Sequence, residues 1–381
     1  MMDRILVMRG GALGDFVLGL PALRALRGAF PRASLELIAP SAVLPLASPL
    51  ADAVTPLERA EVAALFGDAG SLPEGIVARH RGLDLVALWL ADLDGSVRRN
   101  FEVLGARRLL WSPALPPPGR HAADHLLATL EPLGLLAPSV TASSPRRLGV
   151  PVVRPSAAAK QNAFALWRDL GLSAGRPVVA VHPGSGGDWK RWPAERFAQV
   201  ADRLAEEGVG VVVIQGPADA EVVGQLLARV RGRRPPVVSG LGVEDLAAFL
   251  SLAACYLGND SGVTHLAAAV GTPTVAIFGP TDPGQWGPRG PNVLVLRAER
   301  ECVPCGREGG ARCRDRACLE LVSVEQVVEA MRACAGQGRP VGYSLGQEPN
   351  TFTVEPCCSS RSSADFTFGS AAWPSSSMKK R

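Results

Sequence analysis

Lysine is nearly missing from this chain: Lys160, Lys190, Lys379 and Lys380 are the four in 381 residues, although Lys and Arg together number 40. Arginine therefore carries the general basic character, and a lone lysine inside a loop of small residues stands out. No stretch of about 18 uncharged apolar residues occurs, which argues against a spanning helix. No leader is visible in 1–8, where two charges lead straight into an apolar run, so the cytoplasm is the default expectation. A net charge of +4 is too small for the dense basic face of a nucleic-acid binder and suits an anionic substrate or surface. G-x-x-x-x-G-K-[ST], G-x-S-x-G, H-E-x-x-H, kinase signatures and heptad arrays are all absent. G-x-G-x-x-G fails because Arg9 stands where its first glycine belongs, which disfavours a Rossmann dehydrogenase.

What is present is length and apolar content. With 381 residues and 47% hydrophobic composition, two domains with sizeable cores are expected. Short apolar runs alternate with helical periodicity: 4–8, 35–38, 84–90 and 106–111 in the first half, then 177–181, 209–214, 236–239, 255–258, 274–278 and 293–296. Strands separated by helices mean parallel, doubly wound α/β sheets. The expected division is 1–160, 161–335 and a Ser/Gly/Pro-rich tail, 336–381, with no periodicity and the composition of disorder.

Four segments follow strand ends, where open sheets hold ligands. Gly10–Pro21 is a Gly-rich turn opening a helix. It reads either as a tight turn or as the seat of Asp15, a carboxylate near a helix N-terminus able to take a proton from a hydroxyl. His182–Pro193 (HPGSGGDWKRWP) offers the Ser185 hydroxyl, backbone N–H groups and the mobile charge of Lys190, as a phosphate needs. Gly258–Pro273 places Asp260 and Ser261 at a helix start, where capping alone explains them. In the sharper reading the N–H groups of Ser261, Gly262 and Val263 face an anion, with His265 one turn in. Phe278–Pro288 is either a ligand-facing or a structural loop. Cys302, Cys305, Cys313 and Cys318 are spaced C-x2-C-x7-C-x4-C: reduced thiols, disulfides or a structural zinc site are all open. Cys255, Cys334, Cys357 and Cys358 show no partner pattern. Arg98 with Arg99, and Arg107 with Arg108, are either solvated surface or an anionic-membrane contact.

In their order and spacing, GALGDFVLGLP, HPGSGGDWKRWP, NDSGVTHLAAAVGTPTVAIFGPTDP and the Cys-rich CVPCGREGGARCRDRACL resemble the ADP-heptose:lipopolysaccharide heptosyltransferases, glycosyltransferase family 9. The resemblance spans roughly 1–335 and is only general over 40–160. It implies the GT-B architecture, two Rossmann-like domains facing across a cleft, with the acceptor at the N-terminal one and the nucleotide-sugar donor at the C-terminal one. It implies Asp15 as base, Ser185 and Lys190 as phosphate contacts, and Asp260, Ser261 (Ser for the family's Thr), Gly262 and His265 near the diphosphate. Gln215 falls at or near a ribose-contacting acid, a departure that leaves the nucleotide open. It further implies inverting transfer without a required cofactor, a glycan or glycolipid acceptor, and peripheral contact with the inner membrane. A GT-B epimerase or hydrolase and a non-catalytic nucleotide-sugar-binding module are the alternatives.

Overall fold

In a computed structural model the described residues are 2–68, 72–113, 115–135, 149–172, 175–336 and 351–354. They form two compact α/β units.

The first unit is built on a five-stranded parallel sheet. Its strands are β1 (Arg4–Arg9), β2 (Ser34–Ala39), β3 (Ala53–Pro56), β4 (Leu85–Trp89) and β5 (Leu109–Trp111), in the order β3-β2-β1-β4-β5. β1 and β4 are central and read as unbroken apolar runs because helices cover both faces. Ile5 pairs with Leu35 on one side and Leu85 on the other. Leu6, Met8, Val86 and Leu88 pack in one core with Val97 and Phe101 of helix Ser96–Val103. β3 was not expected: its four residues are too few to show periodicity, and Pro56 is tolerated because the strand is an edge.

The second unit has a seven-stranded sheet. β6 (Val178–His182), β7 (Gly210–Gln215), β8 (Val237–Ser239), β9 (Cys255–Asn259), β10 (Thr274–Ile277), β11 (Val293–Ala298) and β12 (Thr351–Val354) lie in the order β12-β11-β10-β9-β6-β7-β8, every pair parallel. Val179, Val181, Val211, Val213, Leu257 and Ile277 point to one face. There they meet Phe197 and Leu204 of helix Ala194–Glu206 and Val327 and Met331 of helix Val324–Gly336. That apolar face gives helix Ala194–Glu206 its strongly one-sided pattern.

The expected boundary at 160/161 moves to 155/156. Ser156 caps helix Ala157–Asp169, its Oγ accepting from Ala159 N at 3.2 Å, and Trp167 of that helix packs on Phe249 with ring centroids 5.0 Å apart. A helix cannot be divided without losing its own hydrogen bonds, so the whole element goes with the second unit. Residues 242–244 and 284–289 group with the first unit, where Trp286 packs on Leu18, Ala122 and Ala123. In the tail, Thr351–Val354 forms a strand beside β11 rather than the unstructured chain expected; the rest of 337–381 lies outside the described residues. No helix among the described residues is long and apolar enough to cross a membrane.

Candidate functional site

In the second unit the chain runs from β6 to β7 and β8 on one side, then returns to β9 on the other. The strand order therefore reverses between β6 and β9, which leaves a crevice outside their carboxyl ends. The loop 183–191 follows β6 and Asp260–Ser261 follows β9. Asn259, fully buried, joins the two. Its Nδ2 donates to Pro183 O at 2.8 Å, and its Oδ1 accepts from Trp192 N at 2.9 Å.

The pieces singled out in the sequence converge here. Ser185 Oγ donates to Asp260 O at 2.7 Å. Lys190 Nζ donates to Asp260 Oδ2 at 3.1 Å, and Thr281 Oγ1 donates to the same oxygen at 2.8 Å. The Asp260 carboxylate thus gathers an ammonium and a hydroxyl rather than facing an anion itself. Ser261 is extended (φ −155°, ψ 161°) and N-caps helix Gly262–Ala269. Gly262 and Val263 open that helix, so their N–H groups have no acceptor within it. His265 lies one turn in and is buried, its N–H donating to Ser261 O at 3.3 Å.

Gln215 is different. It ends β7, and among the described residues no hydrogen bond joins it to this cluster; Asp219, four positions on, is joined to it. Asp219 Oδ2 accepts from Gly216 N at 2.9 Å and meets His182 Nε2 at 3.0 Å. The other ring nitrogen, His182 Nδ1, lies 3.3 Å from Ser261 Oγ. Burial works against charge on Asp219, but the hydrogen bond and charge of His182, the Gly216 N–H and Arg191 outweigh it and hold the carboxyl below its ordinary value. This buried chain orients the Ser261 cap. His182 and Asp219 were not selected from the sequence. The available signals were a histidine at a strand end and an aspartate just before a helix.

In the first unit the strand order reverses between β1 and β4. Helix Leu13–Ala29 begins there, with Asp15 in its first turn. Asp15 Oδ2 accepts from Ala12 N at 2.9 Å. Gly11, at φ +98°, has no room for a side chain: an added Cβ would lie 2.8 Å from Asp15 Oδ2. So the tight-turn reading holds, and it leaves Asp15 half-exposed. Beneath it lies Arg9, 5% exposed, donating through Nη2 to Asp15 O at 2.6 Å and through Nη1 to Trp89 O at 3.0 Å. Burial lowers the Arg9 pKa and the Asp15 charge opposes that. Of the arginine pairs, Arg98 is bound to Asp92 at 3.0 Å and lies over the Trp111 ring, Arg99 donates to Asp94 O, and Arg107 pairs with Asp84.

Among the described residues no group of three or more His, Cys, Asp or Glu side chains is arranged to hold a metal ion. Cys302, Cys305 and Cys313 are exposed thiols and Cys318 a buried one. Cys255 and Cys334, which showed no pattern in the sequence, are buried neighbouring thiols.

Residues 136–312 match the model of glycosyltransferase family 9 (heptosyltransferase). Lipopolysaccharide heptosyltransferase 2 of Salmonella typhimurium is 34% identical over 134 residues, 34% of this chain and 38% of that relative. Lipopolysaccharide heptosyltransferase 3 of Escherichia coli K12 is 25% identical across 86% of this chain and 96% of its own length. The crystal structure of a family 9 glycosyl transferase from Veillonella parvula superimposes with a TM-score of 0.73 at 25% identity, covering 88% of this chain and 97% of that one. The two doubly wound units are those of the GT-B glycosyltransferases. The similarity to glycosyltransferase family 9 is carried by residues 136–312, just under half of the 381.

Proposed function

We propose that this chain transfers a sugar, heptose foremost, from a nucleoside-diphosphate donor of the ADP-heptose type to a lipopolysaccharide-core or related glycan, with inversion. The observation that carries the reading is the convergence of Ser185, Lys190 and the Ser261 cap at the start of helix Gly262–Ala269. A diphosphate needs fixed N–H donors, a hydroxyl and a mobile cation, and these supply all three.

Asp15 takes the proton of the acceptor hydroxyl while the oxygen attacks the anomeric carbon opposite the diphosphate. The departing nucleoside diphosphate gains negative charge. Lys190, released in part from Asp260, together with Ser185 and the N–H groups of Ser261, Gly262 and Val263, stabilises that charge. No metal ion has a part in this scheme. His265 and Asp260 act on the donor through the shape of the turn, and Gln215 stands at or near the ribose. A lipid-linked acceptor would bring the chain to the inner face of a membrane as a peripheral visitor.

The test is a thermal-shift panel of nucleoside diphosphates and their sugars, followed by product analysis with and without acceptor. A shift for one base, and a glycosylated product only when acceptor is present, is the expected result. Free sugar or an epimer formed without acceptor would overturn transfer in favour of epimerase or hydrolase chemistry. Donor binding with no turnover would leave only a binding module.

A further inference from the structure

The Cys-rich segment 302–318 has no part in the chemistry above, yet it packs against the turn that carries Lys190. That turn is Asp188–Lys190, a single 3-10 turn, too short to hold its shape alone. Trp189, in its middle, lies in a slot that only glycines leave open. A Cβ added at Gly310 would lie 2.4 Å from Trp189 Cε3 and 2.9 Å from Pro280 Cβ. One added at Gly187 would lie 2.5 Å from Trp189 Nε1. The segment is tied to the same place twice more: Gly306 N donates to Pro280 O at 2.9 Å, and Arg316 Nη1 donates to Asp188 O at 3.1 Å. The residue after Pro280 is Thr281, which shares the Asp260 carboxylate with Lys190. Both routes from the segment therefore end at one carboxylate.

We propose that residues 302–318 are a brace for the donor site: Gly310 and Pro280 clamp the Trp189 indole and thereby set where Lys190 stands. Trp189 and Gly310 are positioning residues, acting through Lys190 rather than touching the donor. The inference rests on the donor role given to Lys190 above. If the segment were only an outer cover, changes in it would lower stability without altering nucleotide affinity.

The experiment uses the full chain and ADP as probe, with titration calorimetry for affinity and circular dichroism for folding. Gly310→Ala drives a methyl into the indole and is expected to weaken ADP binding about tenfold, the scale of coupling between contacting residues. The acceptor KM should stay unchanged. Trp189→Ala should lose a similar amount, and Gly310→Ala added to it should cost little more, because the clash is gone. Should Gly310→Ala fail to fold, exposed Arg316→Ala decides, with a loss of about threefold expected for one hydrogen bond. A folded Gly310→Ala with wild-type ADP affinity, alongside a Lys190→Ala that has lost it, would overturn the brace; if Gly310→Ala does not fold, wild-type affinity in Arg316→Ala does the same. Wild-type ADP affinity in Lys190→Ala itself would instead remove the donor role on which the brace rests.

Discussion

Replacing Lys190 by Met separates what this side chain does for stability from what it does for transfer. Methionine keeps the length and removes the charge. In the resting protein Lys190 Nζ is 3.1 Å from Asp260 Oδ2, with side chains 18% and 9% exposed. At an effective dielectric of about 20 the bare attraction at this distance is about 5 kcal/mol, most of it offset by desolvation of the two groups. The exposure lies between that of surface pairs, worth about 0–1 kcal/mol, and fully buried pairs, whose breaking costs about 3–5. Asp260 also keeps the Thr281 hydroxyl, so a loss of about 1–2 kcal/mol is expected, a few degrees in melting temperature. Transfer should suffer far more. Removing one preorganised donor to a developing negative charge costs about 3–4 kcal/mol, or about 10²–10³ in kcat. The assay is product formation from the nucleotide sugar identified by the thermal-shift panel, with melting curves on the same samples. Lys160→Met, on an exposed helical position, is the matched control and should change neither quantity. Transfer at the wild-type rate by folded Lys190→Met would refute the phosphate role outright. Equal loss in Lys160→Met would mean that the effect comes from net charge.

Other outcomes follow from the same geometry. Asp15→Asn keeps an acceptor for the Ala12 N–H, so the nucleotide thermal shift should persist while kcat falls at least about 10²-fold, the low end for a general base; retained turnover removes Asp15 as base. Because the Asp219 pKa is lowered from its ordinary 3.8, its contribution to stability is full above that value and disappears as pH falls through the lower folded value. The melting-temperature gap between wild type and Asp219→Asn should then narrow below about pH 4, and a gap constant down to pH 3 contradicts the lowered Asp219 pKa. Iodoacetamide followed by peptide mass spectrometry should label exposed Cys302, Cys305 and Cys313 well before buried Cys255, Cys318 and Cys334. Protection of the whole 302–318 set, reversed by a chelator, would instead reveal a bound metal.

Legibility differed by kind of feature. The long apolar runs read correctly: DLVALWL became β4, and VVAVH became β6. A buried parallel strand cannot show alternation, so an unbroken run between turn signals is its mark. β3 was too brief to register, and the boundary slipped because Ser156 caps a helix whose weak periodicity hid its start. At the site, Ser185, Lys190, Asp260 and Ser261 were visible as functional residue types in small-residue loops. Nothing in IQGPADAE alone says that Asp219 reaches across to the histidine at the end of β6.

By itself the amino-acid order determined two parallel α/β units, strand-end loops rich in small residues, and a lone lysine among them. These follow from local rules of periodicity, turn chemistry and helix starts, each confined to a dozen residues. Only the tertiary structure decided the pairings: that His182 bridges Asp219 and Ser261, that Asp260 collects Lys190 and Thr281, and that Gly310 closes on Trp189. Those contacts join residues from 21 (Asp260 and Thr281) to 121 (Trp189 and Gly310) positions apart, brought together because β6, β7, β9 and β10 end side by side. Strand order is a property of the whole sheet, and no single segment of the chain encodes it.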